Sequence, residues 1–261
     1  MRVRLTTLLL LLLICWTSAG LQARAAVSSV SVLLQEANTL YANAKDTQAL
    51  RKFEEVLKAE PACYEALWKA SLLNSRIGNR FSDQVSKLQY FENAWRFADA
   101  ALCANPGDAE ANYVMALAVY NKSLVLGLKE RMQRTKVIKF YLDEALCANP
   151  QHADAWQLMG RWHFKNANLS LPERSAFNLF FGGAPLEATN EQAAEALQKA
   201  INFNPNNISY YYDLAIVYKE LQKEDLSIVT LQEAIDLQLL TSEELEISRR
   251  CKNMLNEMNK A

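Results

Sequence analysis

The chain has 261 residues and carries 28 Lys+Arg against 29 Asp+Glu, a formal net charge of −1. That balance excludes a general nucleic-acid binder, which needs a basic face to meet phosphate. With only seven glycines and six prolines the chain lacks the turns of an all-β protein, and its abundant Ala, Leu, Glu and Lys favour helix.

The first segment in chain order, MRVRLTTLLLLLLICWTSAGLQARA, opens with Arg2 and Arg4 and continues as an apolar run from Leu8 to Trp16. It ends in Ala23-Arg24-Ala25, the A-x-A form of a cleavage site. The run is shorter than the roughly 20 residues of a membrane span. Residues 1–25 are therefore expected to be a secretory signal peptide, with an uncleaved anchor as the alternative. Residues 26–261 are then an exported protein, periplasmic or secreted, with no transmembrane segment after cleavage. Without Arg2, Arg4 and Arg24, 25 basic side chains face 29 acidic ones, a net of −4.

The next signal is a repeat. ALCANP occurs at Ala101–Pro106 and again at Ala145–Pro150, with related Glu60-Pro61 and Asn204-Pro205 on either side. Each proline must end the helix before it, because it has no N–H and clashes with the preceding turn. It can then serve in the first turn of the next helix. Five, eight and twelve residues before the prolines stand small or apolar residues: Val56, Phe53 and Ala49; Ala101, Ala98 and Ala94; Ala145, Leu142 and Ile138; Ala200, Leu197 and Ala193. Six, nine and ten residues after them come Asn112, Met115 and Ala116; Trp156, Met159 and Gly160; Tyr211, Leu214 and Ala215.

This is the tetratricopeptide pattern W-x2-L-G-x2-Y…A-x3-F-x2-A…P. It predicts an all-α, right-handed α-solenoid of about five helix pairs starting near Val30, Tyr64, Ala109, Ala153 and Ile208. The last three prolines are spaced more widely than the ideal of about 34 residues. The first two enlarged intervals predict longer helices. The third predicts an added short helix ending at Gly182-Gly183, followed by a helix opened by a capping box of Thr189 and Gln192. A polar capping helix, opened by Thr241 and Glu244, closes the chain.

The segments GLKERMQRTKVIKFYLDEALCANPQHADAWQLMGRWHF and LSLPERSAFNLFFGGAPLEATNEQAAEALQKAINFNP resemble the regulator of microtubule dynamics family. The matching residues are Gly127, Lys129, Met159, Gly160, Trp162, Leu179, Phe180, Pro185, Ala188, Thr189, Glu191 and Ala193. The resemblance runs from Phe91 to Leu221. It implies a divergent tetratricopeptide domain that binds partners at membranes or cytoskeleton, without catalysis as its defining trait. An exported chain would not meet a microtubule, so the partner stays open.

Nothing in the sequence marks an enzyme. No G-x-S-x-G, P-loop, H-E-x-x-H or dinucleotide fingerprint is present, and no CxxC or Cys/His cluster marks a metal or cofactor. His163 takes the tyrosine position of a repeat and is expected to pack between helices. Cys103 and Cys147 take equivalent positions on helices that pack about 8–10 Å apart. That is beyond the about 7 Å a disulfide spans, so they are expected to be small buried apolar residues. The run Lys129, Arg131, Arg134, Lys136, Lys139 reads as a solvated helix face, or as a contact for an acidic lipid or protein. Asn121, Asn168 and Asn207 head Asn-x-Ser sequons, which matter only in a glycosylating pathway.

The first helices of the pairs should line a concave groove. The groove positions give Tyr41, Trp68, Arg76, Tyr113, Tyr120, Asn121, Arg161, Phe164, Lys165 and Tyr212 as candidate ligand-binding residues. Aromatics supply contact area and cations can hold a carboxylate or phosphate. The expected partner is a protein or extended peptide with an acidic group, or alternatively an apolar anionic ligand such as a lipid, carried or sensed at the cell envelope.

Overall fold

The structure, a computed structural model, describes residues 30–182 and 188–260. The expected cleavage site, Gly183 and Pro185 lie outside the described residues.

The described residues form twelve helices and no strand. They are α1 (residues 30–42), α2 (Asp46–Ala59), α3 (Tyr64–Arg80), α4 (Gln84–Ala104), α5 (Ala109–Leu124), α6 (Leu128–Ala148), α7 (Ala153–Ala167), α8 (Leu171–Phe181), α9 (Asn190–Phe203), α10 (Ile208–Glu220), α11 (Glu224–Ile235) and α12 (Ser242–Met258). Helix α3 packs on α4, α5 on α6, α7 on α9 and α10 on α11. The first members α3, α5, α7 and α10 also touch in succession and form an inner layer, backed by an outer layer of their partners. The result is a tetratricopeptide-like solenoid. Helix α8 is inserted between α7 and α9, and α12 covers α10 and α11.

The proline signals act through a shared hydrogen-bond pattern. The residue before each proline closes the helix by donating its N–H to the carbonyl four residues back. The pairs are Glu60 to Val56 (2.7 Å), Asn105 to Ala101, Asn149 to Ala145 and Asn204 to Ala200 (each 2.9 Å). The next helix is then tied to the same turn. Asn112 Nδ2, Trp156 Nε1 and Tyr211 Oη donate to the carbonyls of Pro106, Pro150 and Pro205 at 2.9, 2.8 and 2.9 Å. Three different side chains thus do one job at the sixth position after the proline: each satisfies a carbonyl left open at the helix end. Leu67, the equivalent after Pro61, has no donor and is simply buried.

Every residue singled out five, eight and twelve positions before a proline is buried. Helices can approach closely at Ala49, Ala94 and Ala193, while Phe53, Leu142 and Leu197 fill the space between pairs. Burying one such large side chain contributes about 1.5–3 kcal/mol. The enlarged intervals appear as 21-residue α4 and α6, against 14 residues in α2 and α9. Gly182 ends α8 in the left-handed region at φ 73°, where a glycine carries no steric penalty.

Some expectations are corrected. Cys103 and Cys147 are free and exposed, not buried. They lie two residues past the buried Ala101 and Ala145, which is about 200° around a helix of 3.6 residues per turn. Cys63 and Cys251 are free as well. Thr189 caps α9 by accepting from the Gln192 N–H at 3.2 Å without a reciprocal box, whereas Thr241 and Glu244 form one as expected, and so do Ser170 and Glu173 at the start of α8. Trp156 is half-buried, with the Lys199 ammonium 4.3 Å from its ring. The deeply buried tryptophan is Trp162. His163 is buried edge-on against Trp162, as the repeat position predicts.

Candidate functional site

The inner helices bring one line of predicted residues together. The Arg76 guanidinium lies 5.4 Å from the Tyr41 ring centre. Burial raises the Tyr41 phenol above its ordinary value; Arg76 opposes the rise, while Asp154 and Glu110 add to it. Burial likewise pushes Tyr113 well up, with Asp154 and Tyr210 adding and Arg76 and Arg161 opposing. Burial raises Tyr120 too, again between Arg161 and Asp213. Charges from α3, α7 and α10 therefore act on phenols from α1 and α5. The phenols stay protonated at neutral pH.

The two groove arginines differ. Arg161 Nε meets Asp213 Oδ2 at 2.6 Å, and Gln157 Nε2 donates to the same oxygen at 2.7 Å. Its charge is neutralised in place. Arg76 has its nearest carboxylate, Asp46, at 3.9 Å, and 43 % of its side chain meets water. Burial works against its charge, and Tyr41 and Asp46 outweigh that effect. Arg76 is ringed by protein yet open through the mouth of the groove. Sequence reasoning missed the acidic side of the groove. Asp154 accepts from the Tyr210 hydroxyl, and Glu110 lies 3.4 Å from His152 Nε2. His152 itself caps α7, its Nδ1 accepting from the Ala155 N–H at 3.2 Å, and its ring lies tilted against Tyr113 with centroids 4.7 Å apart.

The other predicted residues lie apart from this line. Trp68 packs at the edge of the core with the Lys69 ammonium 5.1 Å from its ring. Phe164 packs on the C-terminal core. Tyr212 lies beside α12, where burial raises its phenol and Arg250 opposes the rise. Asn121 is buried and its Nδ2 has no hydrogen-bond partner, so this sequon is inaccessible in the folded chain. Lys165, one turn from Arg161, belongs to a different feature.

That feature is a partly open cavity of about 320 Å³ lined by α5, α6, α7 and α8. Its wall is largely apolar, with Met132, Ile138, Trp162 and Phe177 among the lining residues, and Tyr120 connects it to the groove side. At its rim Glu173 receives Arg131 at 2.9 Å and Lys165 at 3.1 Å, together with the N–H and hydroxyl of Ser170 at 2.9 and 2.7 Å. Burial would raise the Glu173 carboxyl; the Ser170 and Lys165 bonds outweigh it and bring it down to about 2. The Ser170-x-x-Glu173 spacing is a helix-start signal readable in the sequence. Nothing in the sequence announces the cavity.

Among the described residues no cluster of metal-ligating side chains occurs, and no helix is long and apolar enough to cross a membrane.

Comparison with known proteins agrees with the fold. TTC0263, a thermophilic TPR protein of Thermus thermophilus, superposes with a TM-score of 0.62 at 17 % identity, covering 87 % of this chain and 99 % of that one. The pilF structure of Pseudomonas aeruginosa gives 0.50 at 12 % identity, covering 90 % of this chain and 88 % of that one. At such identities the likeness concerns the fold alone. No curated protein matches the chain in sequence at a significant level. The family model for regulator of microtubule dynamics protein 1-3 matches residues 33–259, wider than the segment carrying the sequence resemblance. With that match spanning nearly all of its 261 residues, the chain belongs to the regulator of microtubule dynamics protein 1-3 family.

Proposed function

We propose that the protein is a non-catalytic scaffold that binds an extended peptide of a partner protein along its concave face. The observation that carries this reading is the line Tyr41–Arg76–Tyr113–Tyr120, supplied by α1, α3 and α5, with Arg76 partly open to water and its one carboxylate neighbour, Asp46, at 3.9 Å. Tyrosines give wide contact at low entropic cost. Peptide recognition by an extended groove uses such contacts together with a few charges. Because Glu110 and Asp154 face the same space, the peptide brings a basic group as well as an acidic one. Those carboxylates disfavour the alternative, an anionic lipid stretched along the groove. We also place the protein outside the cytoplasm after removal of residues 1–25, a reading supported by Arg2, Arg4, the Leu8–Trp16 run and Ala23-Arg24-Ala25.

Photo-crosslinking tests the site. A photoreactive phenylalanine at Tyr120 should capture a partner, and Arg76→Ala should abolish the capture without loss of helicity. The same probe at exposed Val229 on α11 should capture none of that partner. Capture from Val229 but not from Tyr120, or capture unaffected by Arg76→Ala, would move the site off the concave face. Mass analysis of the exported protein tests the cleavage: a first residue of Ala26 agrees, and retention of residues 1–25 makes the protein membrane-anchored.

A further inference from the structure

We propose that the cavity beneath α8 is a binding site for an apolar group carrying a single carboxylate. This site meets the groove at Tyr120 alone and does not depend on the peptide reading.

Helix α8 belongs to the largest enlargement of the repeat. Its only two buried side chains are Glu173 and Phe177, and both line the cavity. The inserted helix is thus attached to the body by the residues that close this space. An apolar cavity of about 150 Å³ takes a benzene ring. This one has room for a ring and a linking chain, or for a branched chain of similar bulk.

The wall asks for an apolar body because it is largely apolar and three of its polar groups are bonded within the protein. Trp162 Nε1 donates to the Thr135 carbonyl at 2.9 Å, and Asn166 Nδ2 to the Trp162 carbonyl at 2.7 Å. The Ser123 hydroxyl donates to the Tyr120 carbonyl at 2.6 Å. The rim asks for a negative charge. Arg131 and Lys165 both converge on Glu173, which leaves one positive charge unbalanced, and 51 % of the Lys165 side chain is in water. A second carboxylate at the rim would balance the pair of cations and accept the donors they still present.

Two sources supply this chemistry: a small free acid, and the C-terminal residue of a polypeptide. The test begins with 4-phenylbutyrate and its neutral counterpart 4-phenyl-1-butanol, titrated into the ¹⁵N-labelled protein while the Trp162 indole N–H is followed. The acid should give a saturable shift and bind about tenfold more tightly than the alcohol. Arg131→Gln with Lys165→Gln should remove that preference while the alcohol binds as before. Absence of a saturable shift with either probe overturns the proposal, and so does equal affinity for acid and alcohol in the unaltered protein. Neither result depends on a variant folding. A short peptide ending in phenylalanine, with a free or an amidated terminus, then separates the sources. Binding of the free-ended peptide alone supports a polypeptide terminus. Binding of phenylbutyrate but of neither peptide supports a small free acid.

Discussion

Arg80, in the last turn of α3, is bonded through Nε to Glu243 Oε1 in the first turn of α12 at 2.5 Å, and through Nη2 to Asp46 at the start of α2. The C-terminal helix is thereby tied back to the N-terminal helix pairs. The two carboxylates are unequal. Glu243 is 46 % exposed and Asp46 is 4 % exposed. An exposed ion pair contributes about 0–1 kcal/mol, so Glu243→Gln should cost less than about 1 kcal/mol. Arg80→Ala should cost more, about 2 kcal/mol, because it strands a buried carboxylate whose other cation, Arg76, stands 3.9 Å away. Urea denaturation of the two variants checks the order.

The two tryptophans of α7 should respond differently to truncation. Trp162 is 3 % exposed and donates to Thr135, so Trp162→Ala should cost about 3–5 kcal/mol. Trp156 is half-buried, and its replacement removes part of a ring's burial and the bond to the Pro150 carbonyl. A cost of about 1–2 kcal/mol is expected there. Equal losses in chemical denaturation would show that the exposed edge of Trp156 matters as much as the buried ring.

Gly160 marks a close approach. A Cβ built there would stand 2.6 Å from Leu197 Cγ and 3.1 Å from the Ala193 carbonyl oxygen, so α7 and α9 would have to separate. Overpacking of this kind costs about 1–3 kcal/mol. Alanine's better helix propensity returns up to about 1 kcal/mol. Gly160→Ala should therefore be neutral at best and destabilising on balance. Gly107→Ala, where a Cβ meets nothing within 4 Å, should leave the thermal midpoint within a degree or two.

Glu173 should make the attachment of α8 sensitive to acid. Its carboxyl is lowered from the ordinary 4.5 to about 2. A depressed carboxylate stabilises the fold fully above its unfolded value, and that contribution is lost as pH falls through the folded one. The window is thus from about 4.5 down to about 2. Because the cations Arg131 and Lys165 are 34 % and 51 % exposed, solvent screens part of the effect. Glu173→Gln should cost about 1–2 kcal/mol at neutral pH and almost nothing near pH 2. Hydrogen exchange across α8, compared at the two pH values, reads the difference.

The repeat was legible because its signals are local. A proline ends a helix wherever it stands, and apolar residues five, eight and twelve positions earlier share one face of that helix whatever lies opposite. Those rules place the starts of α3, α5, α7 and α10 at Tyr64, Ala109, Ala153 and Ile208 without reference to any neighbour. The same periodicity should have put Cys103 and Cys147 on the solvent side, since they lie far around the helix from the buried alanines.

The choice among groove residues was not legible, because it depends on which charges meet across helices. Arg161 and Lys165 stand one turn apart and look alike in the sequence. Asp213 on α10 neutralises the first, and Glu173 on the inserted α8 receives the second. Arg76 stays open because Asp46 is held mainly by Arg80. Local propensity and periodicity determined the helices and their order. Charge pairing across α3, α7, α10 and α8, and the space left beneath α8, arise from contacts between segments far apart in the chain. Only the tertiary structure brings those segments within the few ångströms over which such interactions act.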